Sequence, residues 1–171
     1  RERDWQRKEI IVDNDGHSND YKEESLKKKW KNTSTQGFSF HLGNYNDGEN
    51  PFTSGTARQV KARTKDTKIS SVIYQPTIPE NGRYAVYVSY QTQKKSVADA
   101  EYIVFHKGQE THFRVNQRMG GGTWVYLGTF EFDKGNSINN SVVLTNHSSH
   151  KGIVTTDAVR FGGGMGNIVR G

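Results

Sequence analysis

The sequence predicts an all-β fold, an antiparallel β-sandwich of jelly-roll type with about ten short strands. Three observations lead there. From Phe38 onward apolar residues recur with a period of two, as they do when one face of a strand is buried. Eighteen glycines against three prolines, with abundant Thr, Ser and Asn, suit tight turns between short strands. No helical pattern alternates with the strands, which argues against a parallel α/β sheet. The 171 residues suit one domain. Three Trp, eight Tyr and eight Phe supply core area that a hydrophobic content of 32% would otherwise leave short.

The charged segment 1–9 precedes the first strand, Ile10-Ile11-Val12, which ends in the turn Asp13-Asn14-Asp15-Gly16. Residues 20–31 form the one helix-like stretch, with Leu26 and Trp30 spaced i,i+4; its apolar face is thin, and a loop fits equally well. Phe38, Phe40 and Leu42 alternate in the next strand. A Gly/Asn-rich loop over 43–55 separates it from the strand at 57–65, where Val60 and Ala62 face away from Lys61 and Arg63. Strands follow at 69–74, 83–91, 102–106, 112–115, 123–132, 141–145 and 152–161, divided by turns such as Glu80-Asn81-Gly82 and Lys107-Gly108. Tyr84, Val86, Val88 and Tyr90 share one face, which reads as core, as does the stripe Trp124, Tyr126, Phe130 and Phe132. The Gly-rich segment 162–171 reads as a linker to a further region, and the start on Arg1 reads as a mature or excised fragment.

Composition excludes several classes. Without cysteine there is no disulfide scaffold, thiolate metal site or cysteine nucleophile. No apolar run is long enough to span a membrane. The net charge of +6 points to polyanionic partners, but the aromatic signature of an RRM is missing and nucleic acid is the weaker candidate.

Several blocks carry a resemblance. They are Ile11-Val12-Asp13-Asn14, Ile73-Tyr74-Gln75-Pro76 with Ile78-Pro79-Glu80-Asn81-Gly82-Arg83-Tyr84-Ala85-Val86, Val115-Asn116-Gln117, Gly122-Thr123-Trp124-Val125-Tyr126-Leu127-Gly128-Thr129-Phe130, and Asp157-Ala158-Val159-Arg160-Phe161. Together, over residues 10–161, they resemble the carbohydrate-binding-like domain shared by golvesin C-termini and bacterial xanthan lyases. The resemblance implies a non-catalytic β-sandwich accessory module of a secreted, periplasmic or cell-surface bacterial protein. Its implied partners are a polysaccharide or peptidoglycan and the adjacent domains of the same polypeptide, and catalysis would lie in another domain.

Sugar modules stack the C–H face of a pyranose on an exposed ring, with polar side chains reading the hydroxyls. Trp30, Tyr45 and Phe52, set among Asn, Lys and Gly, are candidates for that role, and Tyr87 points away from its strand's core face. The competing reading is that such rings plug the ends of the sandwich. Lys29, Lys31 and Arg63, with Lys27, Lys28, Arg58, Lys61, Lys65 and Lys68 around them, are candidates for holding carboxylates or phosphates; a solvated basic face is the alternative. Asp13-x-Asp15-Gly16-x-x-x-Asp20, with Glu24 at the twelfth place, looks like a calcium loop. Its displaced glycine and His17 at a ligand position favour a turn held by Asx hydrogen bonds, so no cofactor is expected. His147 and His150 lack a third metal ligand, and no Ser lies in a nucleophile elbow that could use Asp157. The remaining alternatives are a structural spacer and a fragment of a site completed by another domain.

Overall fold

The structure is a computed structural model describing residues 10–13, 20–40 and 54–162. Twelve strands follow in order: β1 (Ile10–Asp13), β2 (Tyr21–Glu24), β3 (Lys31–Phe40), β4 (Ser54–Lys61), β5 (Ser71–Tyr74), β6 (Gly82–Ser89), β7 (Ala100–His106), β8 (Gln109–Val115), β9 (Val125–Phe132), β10 (Asn140–Thr145), β11 (Ile153–Thr156) and β12 (Ala158–Phe161). They form three antiparallel sheets with orders β1-β12-β6-β9, β2-β5-β10-β7-β8 and β11-β4-β3. The expected antiparallel jelly-roll-type sandwich is present. Its strands exceed the expected number for two reasons, each with a physical cause.

The helix-like stretch contains a strand. β2 pairs with β5 from Tyr21↔Tyr74 to Glu24↔Ser71. Its alternate residues Tyr21 and Glu23 turn inward. Tyr21 lies 5.1 Å from the Tyr74 ring, and Glu23 receives Arg58 Nε and Nη2 at 2.6 and 2.7 Å. These tertiary partners outweigh a weak local helical pattern. The last expected strand, 152–161, is broken at Asp157, whose backbone N–H turns to Ser89 O at 2.9 Å. β11 therefore pairs with β4, while β12 joins β6. One apolar run thus serves two sheets, as happens where a strand bends at a sandwich corner.

The core gathers Tyr84, Val86, Val88 and Tyr90 from the β6 strand and its end, Val72 and Tyr74 from β5, Tyr102 and Val104 from β7, and Val142 and Leu144 from β10. Each of these side chains stabilises the fold by about 1.5–3 kcal/mol through burial. The buried tyrosines also place their hydroxyls. Tyr84 donates to Glu80 O at 2.7 Å, Tyr90 to Met119 O at 2.7 Å, and Tyr74 meets Thr156 Oγ1 at 2.6 Å.

The aromatic stripe on β9 departs from expectation. Val86 pairs with Gly128 but Tyr87 pairs with Tyr126, leaving Leu127 as the extra residue of a bulge. One inserted residue reverses the facing. Phe130 and Phe132 consequently lie on the core side with Tyr84, whereas Tyr126 lies on the outer side with Tyr87.

Candidate functional site

Two surfaces have the residue types that bind ligands. The first is a row across the outer face of the four-stranded sheet, Ile11↔Arg160↔Tyr87↔Tyr126, set by consecutive strand registers. The Arg160 guanidinium carbon sits 4.6 Å from the centre of the Tyr87 ring and 5.7 Å from that of Trp124. Tyr87 and Tyr126 are 5.4 Å apart, tilted by 51°. Tyr126 is 45% exposed, and its hydroxyl meets Thr129 Oγ1 at 2.7 Å. The result is an outward ring packed on Tyr87, with Arg160 over Tyr87 and Trp124 behind it, each cation–π contact worth about 0.5–1 kcal/mol.

The second surface is a cavity of about 550 Å³ where four chain segments converge. The end of β4 and the residues after it supply Lys61, Ala62, Arg63, Thr64 and Lys65. The β2–β3 connection supplies Lys27 and Lys28. Lys95 comes from the segment after β6, and Lys151, Gly152 and Ile153 lead into β11. No acidic residue lines it, and none of its six lysines forms an ion pair among the described residues.

Specific local structure brings these cations together. Gly152 accepts Ala62 N–H at 2.8 Å, and the next residue, Ile153, donates to Lys95 O at 2.8 Å. A Cβ on Gly152 would lie 2.7 Å from Lys95 O, so only glycine permits this approach. Asn146, fully buried, closes the other side: its side chain accepts Ser70 N–H and donates to Lys61 O, both at 2.9 Å, and its carbonyl accepts Arg63 N–H at 2.7 Å. Arg63 donates its Nε to Thr67 O, which orders the turn carrying Lys65.

Several sequence candidates move. Trp30 is 6% exposed and belongs to the core cluster, so of its two readings, ligand platform or packed ring, the packed one is found. Tyr87 is 7% exposed beneath Arg160 and Tyr126, and supports the outer ring instead of presenting itself. Tyr45 and Phe52 lie outside the described residues, as does most of the 13–20 calcium-like segment. Arg63 lines the cavity, while Lys29 and Lys31 are exposed without lining it. Arg58 is engaged by Glu23 and is not a free cation. Sequence reasoning missed Lys95 and Lys151; the Lys151-Gly152 pair at a strand start was the signal that a close backbone approach would place a cation there.

The constellations that could suggest catalysis have structural geometry. Asp99 accepts from Ser148 Oγ, and from Ser149 N at 2.9 Å and Oγ at 2.7 Å, while His150 Nδ1 meets Ser149 Oγ at 2.9 Å. The carboxylate holds the hydroxyls and does not orient the imidazole, the reverse of a nucleophilic triad. Burial alone would raise the Asp99 pKa, but the Ser148 and Ser149 donors prevail and hold it at about 2. Asp157 is fully buried at the β11–β12 break. Among the described residues no group of three His, Cys, Asp or Glu could hold a metal ion, and no helix is long and apolar enough to cross a membrane.

These features define an antiparallel jelly-roll sandwich with a ring-bearing sheet face and a basic cavity. The chain belongs to the Golvesin C-terminal domain family, whose model matches residues 10–163. A xanthan lyase from Bacillus sp. (strain GL1) is 36% identical over 99 residues, 57% of this chain and 10% of that protein. The solved xanthan lyase of Paenibacillus superposes with a TM-score of 0.65 at 22% identity, covering 92% of this chain and 13% of the lyase. An exo-β-1,3-galactanase from Phanerochaete chrysosporium, solved with galactose, gives a TM-score of 0.52 at 11% identity, covering 91% of this chain and 29% of that one. The chain therefore spans a small fraction of the length of each.

Proposed function

We propose that this chain is a non-catalytic accessory module, requiring no cofactor, that binds polysaccharide or peptidoglycan for a secreted bacterial protein. The observation that carries this reading is the outer row of the four-stranded sheet, where Tyr126 presents a ring packed against Tyr87, which in turn lies under Arg160. An exposed ring held at a fixed angle suits a pyranose, whose C–H face stacks on it. Family membership supports it, and the match to a small part of much longer xanthan lyases fits a unit appended to a catalytic region. Tethering such a module raises the local substrate concentration at its neighbour, so weak affinity suffices.

A spacer without a ligand would bury an extended apolar patch against its neighbour. Among the described residues the exposed large apolar side chains other than Tyr126 are Leu26, Met119 and Ile138, scattered over three different connections. Titration calorimetry of the chain against xanthan, neutral glucans and peptidoglycan fragments tests the reading, with Tyr126→Ala and Trp124→Ala alongside. Saturable binding, weakened about threefold to tenfold in Tyr126→Ala, is expected. A folded chain that binds none of the panel at millimolar sugar would favour the spacer.

A further inference from the structure

We infer that the basic cavity is a site for the acidic groups of a polysaccharide, sugars bearing carboxylate or sulfate. This rests on reading the chain as a polysaccharide-binding module and adds to it the ligand class and a second contact surface, apart from the Tyr126 row.

Charge is the first ground. Six lysines and Arg63 converge with no carboxylate among the described residues that line the cavity. Self-repulsion of this kind opposes folding, and the arrangement is relieved by a bound polyanion. Elsewhere on the chain cations are paired where they meet acids, as with Arg58 and Glu23 or Lys107 and Asp133. Among the described residues none of the cavity's cations has an acidic partner. Position is the second ground. The cations come from segments drawn together by the Gly152 approach and the Asn146 clamp, and both devices grip backbone groups of the lysine-bearing segments, the first through backbone and the second through the Asn146 side chain and carbonyl. The third ground is the lining chemistry. Ala62, Ile153 and the lysine stems form an apolar floor beneath an ammonium rim, which matches a sugar ring carrying an acid group. Among the described residues no aromatic ring lines the cavity, so they offer nucleic-acid bases no stacking platform there. Lysine ammoniums, compact charges on flexible stems, tolerate the irregular spacing of acid groups along a polymer better than planar guanidinium forks do.

The test measures binding of the 171-residue chain and its Lys61→Glu/Lys151→Glu variant to polygalacturonate, dextran sulfate, neutral dextran and a single-stranded oligonucleotide, at low and high salt. Both positions are exposed, and unchanged thermal melting of the variant confirms an intact fold. The expected result is saturable binding of one or both acidic polysaccharides, weakened by salt and weakened at least about tenfold in the variant. The arm that binds identifies the acid group. Equal binding of acidic polymers by variant and parent would overturn the cavity assignment while leaving the module reading intact, as would binding confined to the neutral polymer. Binding of the oligonucleotide with none to any polysaccharide would overturn both. Lys65→Glu/Lys95→Glu, on two other lining segments, must give the same loss; a loss in one pair alone would overturn a shared cavity site.

Discussion

Gln117 gives the sharpest test of how this sandwich is held together. It is fully buried beside β11 and β7. Its Nε2 donates to Tyr102 Oη at 3.1 Å and to Thr155 O at 2.9 Å, and its Oε1 accepts Thr155 N–H at 2.9 Å. Gln117→Met keeps length and approximate volume but leaves three buried polar groups without these partners. Each orphaned group costs about 1–3 kcal/mol, and since the three share one site their costs do not add fully; about 3–5 kcal/mol in total is expected. That is a large share of the 5–15 kcal/mol typical of a domain. With a urea dependence of about 2 kcal/mol per molar, the unfolding midpoint should fall by about 2 M. Urea titration followed by tryptophan fluorescence measures it, with the slope unchanged if the folded and unfolded states stay comparable. Gln117→Glu retains an acceptor for Thr155 N–H but sets a carboxylate against Thr155 O. It should be comparably weakened at neutral pH and partly recover in acid, where a protonated carboxyl can donate. A Gln117→Met loss below about 1 kcal/mol would refute the idea that this side chain joins the strands.

Two further outcomes are expected. Asp99 is held at about 2 in the folded chain, below the ordinary aspartate value, so its contribution to stability is present above about pH 4 and is lost as pH falls toward 2. Melting temperatures of the parent and Asp99→Asn should therefore differ most above pH 4 and converge at the acid end; a difference constant across that range would disprove the role of the Ser148 and Ser149 donors. Gly152→Ala should destabilise by about 1–3 kcal/mol, because its Cβ would meet Lys95 O at 2.7 Å and Val97 Cγ1 at 2.9 Å, and thermal unfolding indistinguishable from the parent would show that the approach is not tight.

Much of the fold is legible in local pattern. The alternation of Tyr84, Val86, Val88 and Tyr90 predicts a core face, and all four are buried. The Gly-rich turns predict where strands end: Lys107-Gly108 closes the β7–β8 hairpin with both residues at positive φ. The same reasoning placed Trp124, Tyr126, Phe130 and Phe132 on one face, and a single bulge residue at Leu127 divided them. That bulge depends on how β9 registers against β6, which is a property of the pair. Trp30 follows the same logic, since its surroundings in sequence are charged while its surroundings in space are the core.

What the sequence determines by itself is the all-β class, most strand positions and the apolar stripes, because backbone pleating and turn chemistry act over a few residues. What the tertiary structure decides is which residues meet. Arg58 is withdrawn from the basic set by Glu23, while Lys95 and Lys151 join Lys61 and Arg63 because Ile153 pairs with Lys61 and bridges Ser96. Those pairings join residues distant in the chain, and their register is set by the packing of whole sheets, so no local pattern contains them.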